Sequence, residues 1–214
     1  MTGTKIKFCG LSRPEDIEAV NRLHPDYIGF VFAGKSKRYV TSKQAAELRK
    51  LLHPEIQAVG VFVDEPPEAV AELLQTGVID LAQLHGLENE VYITKLKTLT
   101  DKPVIQAFKV QKEEDLAAAE GSSADYILLD SGAGCGKTFD WGLLERIERP
   151  YFLAGGLDPS NVGDAVRMLH PYAVDVSSGI ETDGKKDEGK MEAFFQAVRM
   201  ADEDRHLCEY QVIK

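Results

Sequence analysis

Several residues that could do chemistry stand where an apolar run stops. Cys9 ends Lys5-Ile6-Lys7-Phe8-Cys9, just before Gly10. A thiol there is either a small buried filler or, where a nearby cation or a helix N-terminus lowers its pKa, a reactive base. Asp130 closes the apolar run Tyr126-Ile127-Leu128-Leu129. Such a carboxyl either caps the following turn or, partly desolvated, keeps its proton near neutral pH and serves as a general acid. Arg38 lies in a loop with Lys35 and Lys37, and its planar fork suits a carboxylate better than the two solvated ammonium groups do. Of five histidines, His24, His53 and His170 each precede a proline at a helix end, where they suit the helix dipole, and His206 lies near the C-terminus. Only His85 ends a strand, placed either to contact a substrate or to position a neighbour. Asp64 is the remaining polar strand-end residue.

Two glycine turns complete this set. Tyr151-Phe152-Leu153-Ala154 is stopped by Gly155-Gly156, and Ala173-Val174-Asp175-Val176 is broken by Ser177-Ser178-Gly179. Either could be a tight turn only. Together, at the ends of adjacent parallel strands, they offer bare backbone N–H groups of the kind that hold a phosphate dianion without Lys or Arg.

The elements that must position these groups repeat about eight times at a spacing near 25 residues, the length of a βα unit. Strands are expected at Lys5–Cys9, Tyr27–Phe32, Ala58–Val63, Leu81–Leu84, Pro103–Phe108, Asp125–Asp130, Tyr151–Ala154 and Ala173–Val176. Most are continuous apolar runs, as strands buried on both faces should be. Between them come helices: Pro14 suits a first turn, Thr41 caps a helix through Leu52, Asn89 starts one to about Leu99, and Glu113–Glu120 makes another. After the sixth strand a long glycine-rich turn, Ser131–Phe139 with Cys135 in it, precedes a short helix around Trp141. Lys190–Met200 closes the set, with Phe194, Phe195 and Val198 facing inward. The expected fold is a single (β/α)₈ barrel over residues 1–200, with a tail over 201–214 that either extends the last helix or hangs loose. Ligands of such barrels bind at the C-terminal ends of the strands, and phosphate after strands seven and eight.

Composition narrows the function. A formal net charge of -10 over 214 residues disfavours nucleic acid, and no Lys/Arg block reverses that. No apolar run reaches membrane-spanning length, and no signal peptide is expected. Three widely spaced cysteines make neither a disulfide framework nor a metal pattern, so a reducing cytoplasm is the expected setting.

The motifs KFCG at 7–10, SKRYV at 36–40, QLHG at 83–86, DSGAGCGKTFDW at 130–141, LAGGLDPSNV at 153–162, and DVSSGIE at 175–181 with GKKD at 184–187 occur in register. From about residue 5 to 200 the chain resembles the phosphoribosylanthranilate isomerases of tryptophan biosynthesis. The resemblance implies an Amadori rearrangement of an aminoaldose phosphate to an aminoketose. It implies Cys9 as general base, Asp130 as general acid, Arg38 as the holder of the anthranilate carboxylate, and Gly155, Gly156, Ser178 and Gly179 as the phosphate cradle. A small-molecule substrate is implied, with a monomer or homodimer. The protonated imine is its own electron sink, so neither a metal nor an organic cofactor is expected. Cys135 departs from the family pattern, which puts a small or polar residue there. Related phosphate barrels fit less well: a histidine-pathway isomerase wants aspartates at strand ends one and five, where Cys9 and Phe108 stand. Indole-glycerol phosphate synthase wants a lysine acid and a glutamate base; Lys109 suits it, but the first strand offers no partner. A non-catalytic phosphate-binding barrel has no need of both Cys9 and Asp130.

Overall fold

Eight parallel strands close on themselves in chain order: β1 (Lys5–Cys9), β2 (Tyr27–Val31), β3 (Gln57–Phe62), β4 (Leu81–Leu84), β5 (Val104–Lys109), β6 (Tyr126–Asp130), β7 (Tyr151–Ala154) and β8 (Ala173–Val176), with β8 pairing β1. The computed structural model describes residues 3–130 and 141–212, with side chains through residue 204 except those of Leu143, Glu145 and Arg146. The helices are α1 (Pro14–Leu23), α2 (Ser42–Leu51), α3 (Pro67–Gln75), α4 (Glu90–Leu99), α5 (Glu113–Glu120), α6 (Val162–Leu169) and α7 (Glu188–Val212). Between β6 and β7 a 3₁₀ helix, Trp141–Arg146, stands in for an α-helix. The loop 131–139 and its Cys135 lie outside the described residues.

Local chemistry explains the helix starts. Thr41 accepts a bond from the Gln44 amide while the Gln44 side chain reaches back, a capping box. Asn89 caps α4 through the amides of Val91 and Tyr92. Asp158 holds the Ser160 amide and hydroxyl, and Asn161 Oδ1 accepts from the Asp158 amide, so the turn before α6 is fixed by side chains.

Strand period places the site. Residues with one parity, Ile6, Phe8, Ile28, Phe30, Leu129, Leu153 and Val174, pack outward against the helices. The other parity faces inward: Tyr27, Val59, Leu81, Ile105, Leu128, Phe152 and Ala173 fill the lower barrel, and Cys9, Val31 and Val61 form the layer above. Tyr27, Tyr126 and Tyr172 ring Phe152 at centroid distances of 5.4, 5.8 and 5.5 Å and close the bottom. Because side chains alternate, every inward residue one step further along a strand opens toward the C-terminal mouth.

The last helix anchors the first strand. Asp202 accepts from the Thr4 amide and hydroxyl at 2.9 and 2.7 Å, Arg199 donates to the Thr4 carbonyl, and Phe194 meets Phe8 edge-on at 6.0 Å. Phe194 and Val198 are fully buried. Phe195, expected to face inward, is only half-buried: its ring packs against the edge of the core and the Arg199 guanidinium covers it at 4.8 Å. The helix continues through Val212.

Candidate active site

A cavity of ≈ 480 Å³ opens at the C-terminal mouth, lined by Cys9, Arg38, His85, Asp130, Gly155, Gly156 and Ser178 together with Val31, Val61, Gln83, Ala154 and Asp175. Parity and strand ends bring these residues together from seven strands, all but β5, and the loops that follow them. Gly179 is not in the lining. A Cβ on it would come within 2.0 Å of the Leu157 carbonyl oxygen, so its glycine lets the loop after β8 lie directly on the loop after β7. Gly155 and Gly156 both take positive φ, 94° and 65°, which other residues adopt only with strain. Among the described residues the Gly156 N–H has no protein acceptor. Ser178 opens a one-turn 3₁₀ helix, Ser178–Ile180, the short extra helix that often completes a barrel phosphate site. Asp64 lies elsewhere: it accepts from the Leu87 amide and fixes the loops after β3 and β4.

Asp130 and His85 face each other, with Oδ2 3.7 Å from Nε2. Gln83, two residues back on the same face of β4, places Nε2 2.9 Å from His85 Nδ1. With the amide donating to Nδ1, the ring proton sits on Nε2, toward Asp130. Gln83 Oε1 is buried with no hydrogen-bond partner among the described residues, an acceptor inside the cavity wall.

Arg38 is spoken for on one edge. Its Nε and Nη2 bond Glu181 Oε1 and Oε2 at 2.6 and 2.8 Å, a bidentate pair. That pair holds the guanidinium rigid at the cavity wall, and Nη1 has no partner among the described residues. Glu181 also takes Lys186 Nζ at 2.7 Å, its cross-strand neighbour in a two-stranded ribbon of Glu181–Thr182 and Lys185–Lys186. Burial opposes ionisation of Glu181, but Arg38 and Lys186 overcome it and hold the carboxyl down to about 2. Burial in turn lowers Lys186 from its ordinary value, against the pull of Glu181. Lys186 donates onward to the Ser177 carbonyl, and Ser177 Oγ bonds the Cys9 carbonyl at 3.0 Å.

Beneath Cys9 lies a charge pair that sequence reasoning missed. Lys7 Nζ is 3.0 Å from Asp175 Oδ1, with side-chain exposures of 0% and 9%, and the two residues are register partners on β1 and β8. A lysine and an aspartate centred in apolar strands, one of them two residues before Cys9, were the available signal. Burial works against the Lys7 ammonium, but Asp175 and the Cys9 sulfur raise it above its ordinary value. For Cys9 the expected lowering is not what the barrel produces. Burial pushes the thiol up; Lys7 and Lys186 pull it down and Asp175 pushes it up again, and the sum lies above the ordinary 9.0. Burial is the largest of these effects and, with Asp175, outweighs the two lysines.

A thiol and a carboxyl lining one cavity at a barrel mouth, with a glycine rim beside them, fit a (β/α)₈-barrel enzyme that acts on a small molecule. Comparison with known proteins specifies it further. Residues 6–197 match the family model for N-(5'-phosphoribosyl)anthranilate (PRA) isomerase. N-(5'-phosphoribosyl)anthranilate isomerases from Thermoanaerobacter sp. (strain X514) and Endomicrobium trichonymphae are 46% and 47% identical, covering 91% and 87% of this chain and 98% and 94% of theirs. The crystal structure of phosphoribosyl anthranilate isomerase from Thermotoga maritima superposes with a TM-score of 0.85 at 36% identity, covering 92% of this chain and 98% of that one. The enzyme solved in complex with reduced 1-(o-carboxyphenylamino)-1-deoxyribulose 5-phosphate gives a TM-score of 0.82 at 36% identity and the same coverage. The chain belongs to the phosphoribosylanthranilate isomerase family.

Proposed function

We propose that this chain isomerises N-(5-phosphoribosyl)anthranilate to 1-(2-carboxyphenylamino)-1-deoxyribulose 5-phosphate, a step of tryptophan biosynthesis, with Asp130 as general acid and Cys9 as general base. The observation that carries the assignment of roles is the position of both groups on the walls of one cavity. Asp130 gives its proton to the ribose ring oxygen as the C1′–O bond breaks and the anilino nitrogen forms a C=N bond. The resulting iminium acidifies the C2′ proton, which the Cys9 sulfur removes. The enolamine so formed takes a proton at C1′ and releases the proton of its C2′ hydroxyl to become the ketone, so that two protons gained and two lost leave atoms and charge balanced without a redox partner. Each proton transfer contributes about 10²–10⁴-fold.

The remaining residues bind. Gly155, Gly156, Ser178 and Gly179 hold the 5′-phosphate, the first three as lining and Gly179 by seating the β8 loop against Leu157. The free edge of Arg38 takes the anthranilate carboxylate, and Glu181 keeps that edge aimed by occupying the other. His85, set by Gln83, positions Asp130 and the proton it donates. No helix among the described residues is long and apolar enough to cross a membrane. A reacting thiol has to stay reduced, which makes the cytoplasm the compartment this reading calls for.

The test uses substrate generated in situ and followed by loss of its fluorescence. Cys9→Ser and Asp130→Asn should each lower kcat by at least about 10²-fold while substrate still binds. Wild-type turnover in either variant would remove that residue from the mechanism.

A further inference from the structure

At the end of the barrel away from the cavity, two histidines with no part in this chemistry come together. His24 is the C-cap of α1 and His53 follows the C-cap of α2, just before β2 and β3 begin. Their rings meet edge to face, with centroids 4.6 Å apart at 71°. With Glu55 they bring three candidate ligand atoms within 4.8 Å of one another. We propose that His24, His53 and Glu55 bind a single divalent transition-metal ion, zinc by preference, which ties the turn after α1 to the turn after α2 and stabilises the fold.

Ligand chemistry selects the ion class. Two imidazoles and a carboxylate match a borderline ion such as Zn²⁺, with water in the fourth position, whereas Mg²⁺ and Ca²⁺ prefer an all-oxygen shell. Ligand atoms about 2.0–2.2 Å from zinc in a tetrahedron stand roughly 3.3–3.5 Å from one another. His53 Nδ1 and Glu55 Oε2 are already 3.9 Å apart. The closure still needed is small, and the side chains are able to make it: those of His53 and Glu55 are 41% and 82% exposed, so both rotate without disturbing the core.

The backbone beneath them is already set. Asn21, in α1, donates to the Leu51 carbonyl at 2.7 Å and accepts from the His53 amide at 2.9 Å, stitching the two helix ends together. The His24 amide bonds the Val20 carbonyl at 2.8 Å, and the His53 carbonyl accepts from Ile56. Binding therefore orders mainly side chains and gives up only the long 3.5 Å bond that His53 Nδ1 accepts from the Glu55 amide. α1 and α2 both present their C-terminal, negative ends here, and the basic residues of those last turns, Arg22, Arg49 and Lys50, are paired with Glu188, Asp80 and Glu47.

An ion that binds only the folded state raises the melting temperature in proportion to the logarithm of its free concentration above Kd. The full chain, stripped with EDTA, is titrated with zinc chloride against a chromophoric chelator while the melting temperature is followed. One ion per chain should bind and the melting temperature should rise, with magnesium chloride having no effect and acid weakening the binding as protons compete for the imidazoles. His24→Ala and His53→Ala should each weaken binding by at least about tenfold and cancel the thermal shift, while isomerase turnover without zinc is unchanged. Wild-type protein that shows no zinc-dependent shift overturns the proposal. So does binding that survives in both histidine variants and disappears when the thiols are alkylated, which would put the ion on cysteine.

Discussion

Replacing Lys7 by methionine removes one member of the most deeply buried charge pair described in the barrel. Lys7 Nζ and Asp175 Oδ1 are 3.0 Å apart, with side chains 0% and 9% exposed, so solvent screens the pair little. At that separation an effective interior dielectric of about 20 gives a Coulomb attraction of roughly 5–6 kcal/mol. Much of this only offsets the cost of taking both ions out of water. Truncating one partner, however, strands the other charge, and that costs about 3–5 kcal/mol. For a domain of this length the melting temperature should fall by roughly 6–20 °C. The double variant Lys7→Met with Asp175→Leu should recover most of that loss, since neither charge remains. The same pair acts on the neighbouring thiol with opposite signs: Lys7 lowers the Cys9 pKa and Asp175 raises it. The pH at which Cys9 is half-alkylated by iodoacetamide, located by mass spectrometry of the Cys9 peptide, should therefore move up in Lys7→Met and down in Asp175→Asn. A melting temperature within about 2 °C of wild type, or thiol shifts of the same sign in both variants, would refute the electrostatic account.

Three further outcomes follow from the site. Arg38→Ala should raise KM by about 10–100-fold, the value of a charge-assisted hydrogen bond, with a smaller change in kcat; an unchanged KM removes Arg38 from the carboxylate subsite. Glu181 is held down to about 2 in the folded protein against an ordinary 4.5, so its contribution to stability is fully present above pH 4.5 and disappears as pH falls through about 2. The stability gap between wild type and Glu181→Gln, measured by denaturation across that window, should close toward its acid end; a constant gap contradicts the assignment. The pH–rate profile of kcat/KM should be bell-shaped, and its alkaline limb should lie above 9.0, the ordinary thiol value, and be absent in Cys9→Ser.

Much of this was legible in the chain because the barrel is built from short-range rules. Mostly apolar runs marked the strands, and β1, β4, β7 and β8 begin and end where the sequence pattern puts them. Where they differ, the partner strand decides: Gln57 joins β3 because its amide pairs with the Asp26 carbonyl, and Lys109 joins β5 because it pairs with Asp130. The capping box at Thr41 and the asparagine cap at Asn89 are local and were readable. What resisted reading is the pairing of charges distant in sequence. Arg38 and Glu181 are 143 positions apart, and Lys7 and Asp175 are 168 apart, so nothing local couples them. Glu181 and Lys186 both sat in motifs whose glycines drew attention first. The proximity of His85 to Asp130 likewise comes from barrel closure, since β4 and β6 are separated by β5.

The raised Cys9 thiol and the proposed base role fit together once the order of proton transfers is considered. A carboxyl ordinarily ionises well below a thiol, and burial moves the Cys9 thiol further up from its ordinary value. With its thiol kept up, Cys9 rests protonated, and the productive arrangement, proton on Asp130 and charge on sulfur, is the minority form. The lysines relieve this only in part: Lys7 and Lys186 lower the thiol, but burial and Asp175 outweigh them. The missing positive charge is supplied by the reaction itself. When Asp130 protonates the ring oxygen, the iminium appears one bond from the C2′ proton, in the same low-dielectric cavity as the sulfur, and there it both acidifies that proton and stabilises a thiolate. A resting thiol kept up by burial, which outweighs the pull of Lys7 and Lys186, is thus protected from stray alkylation and oxidation until substrate opens.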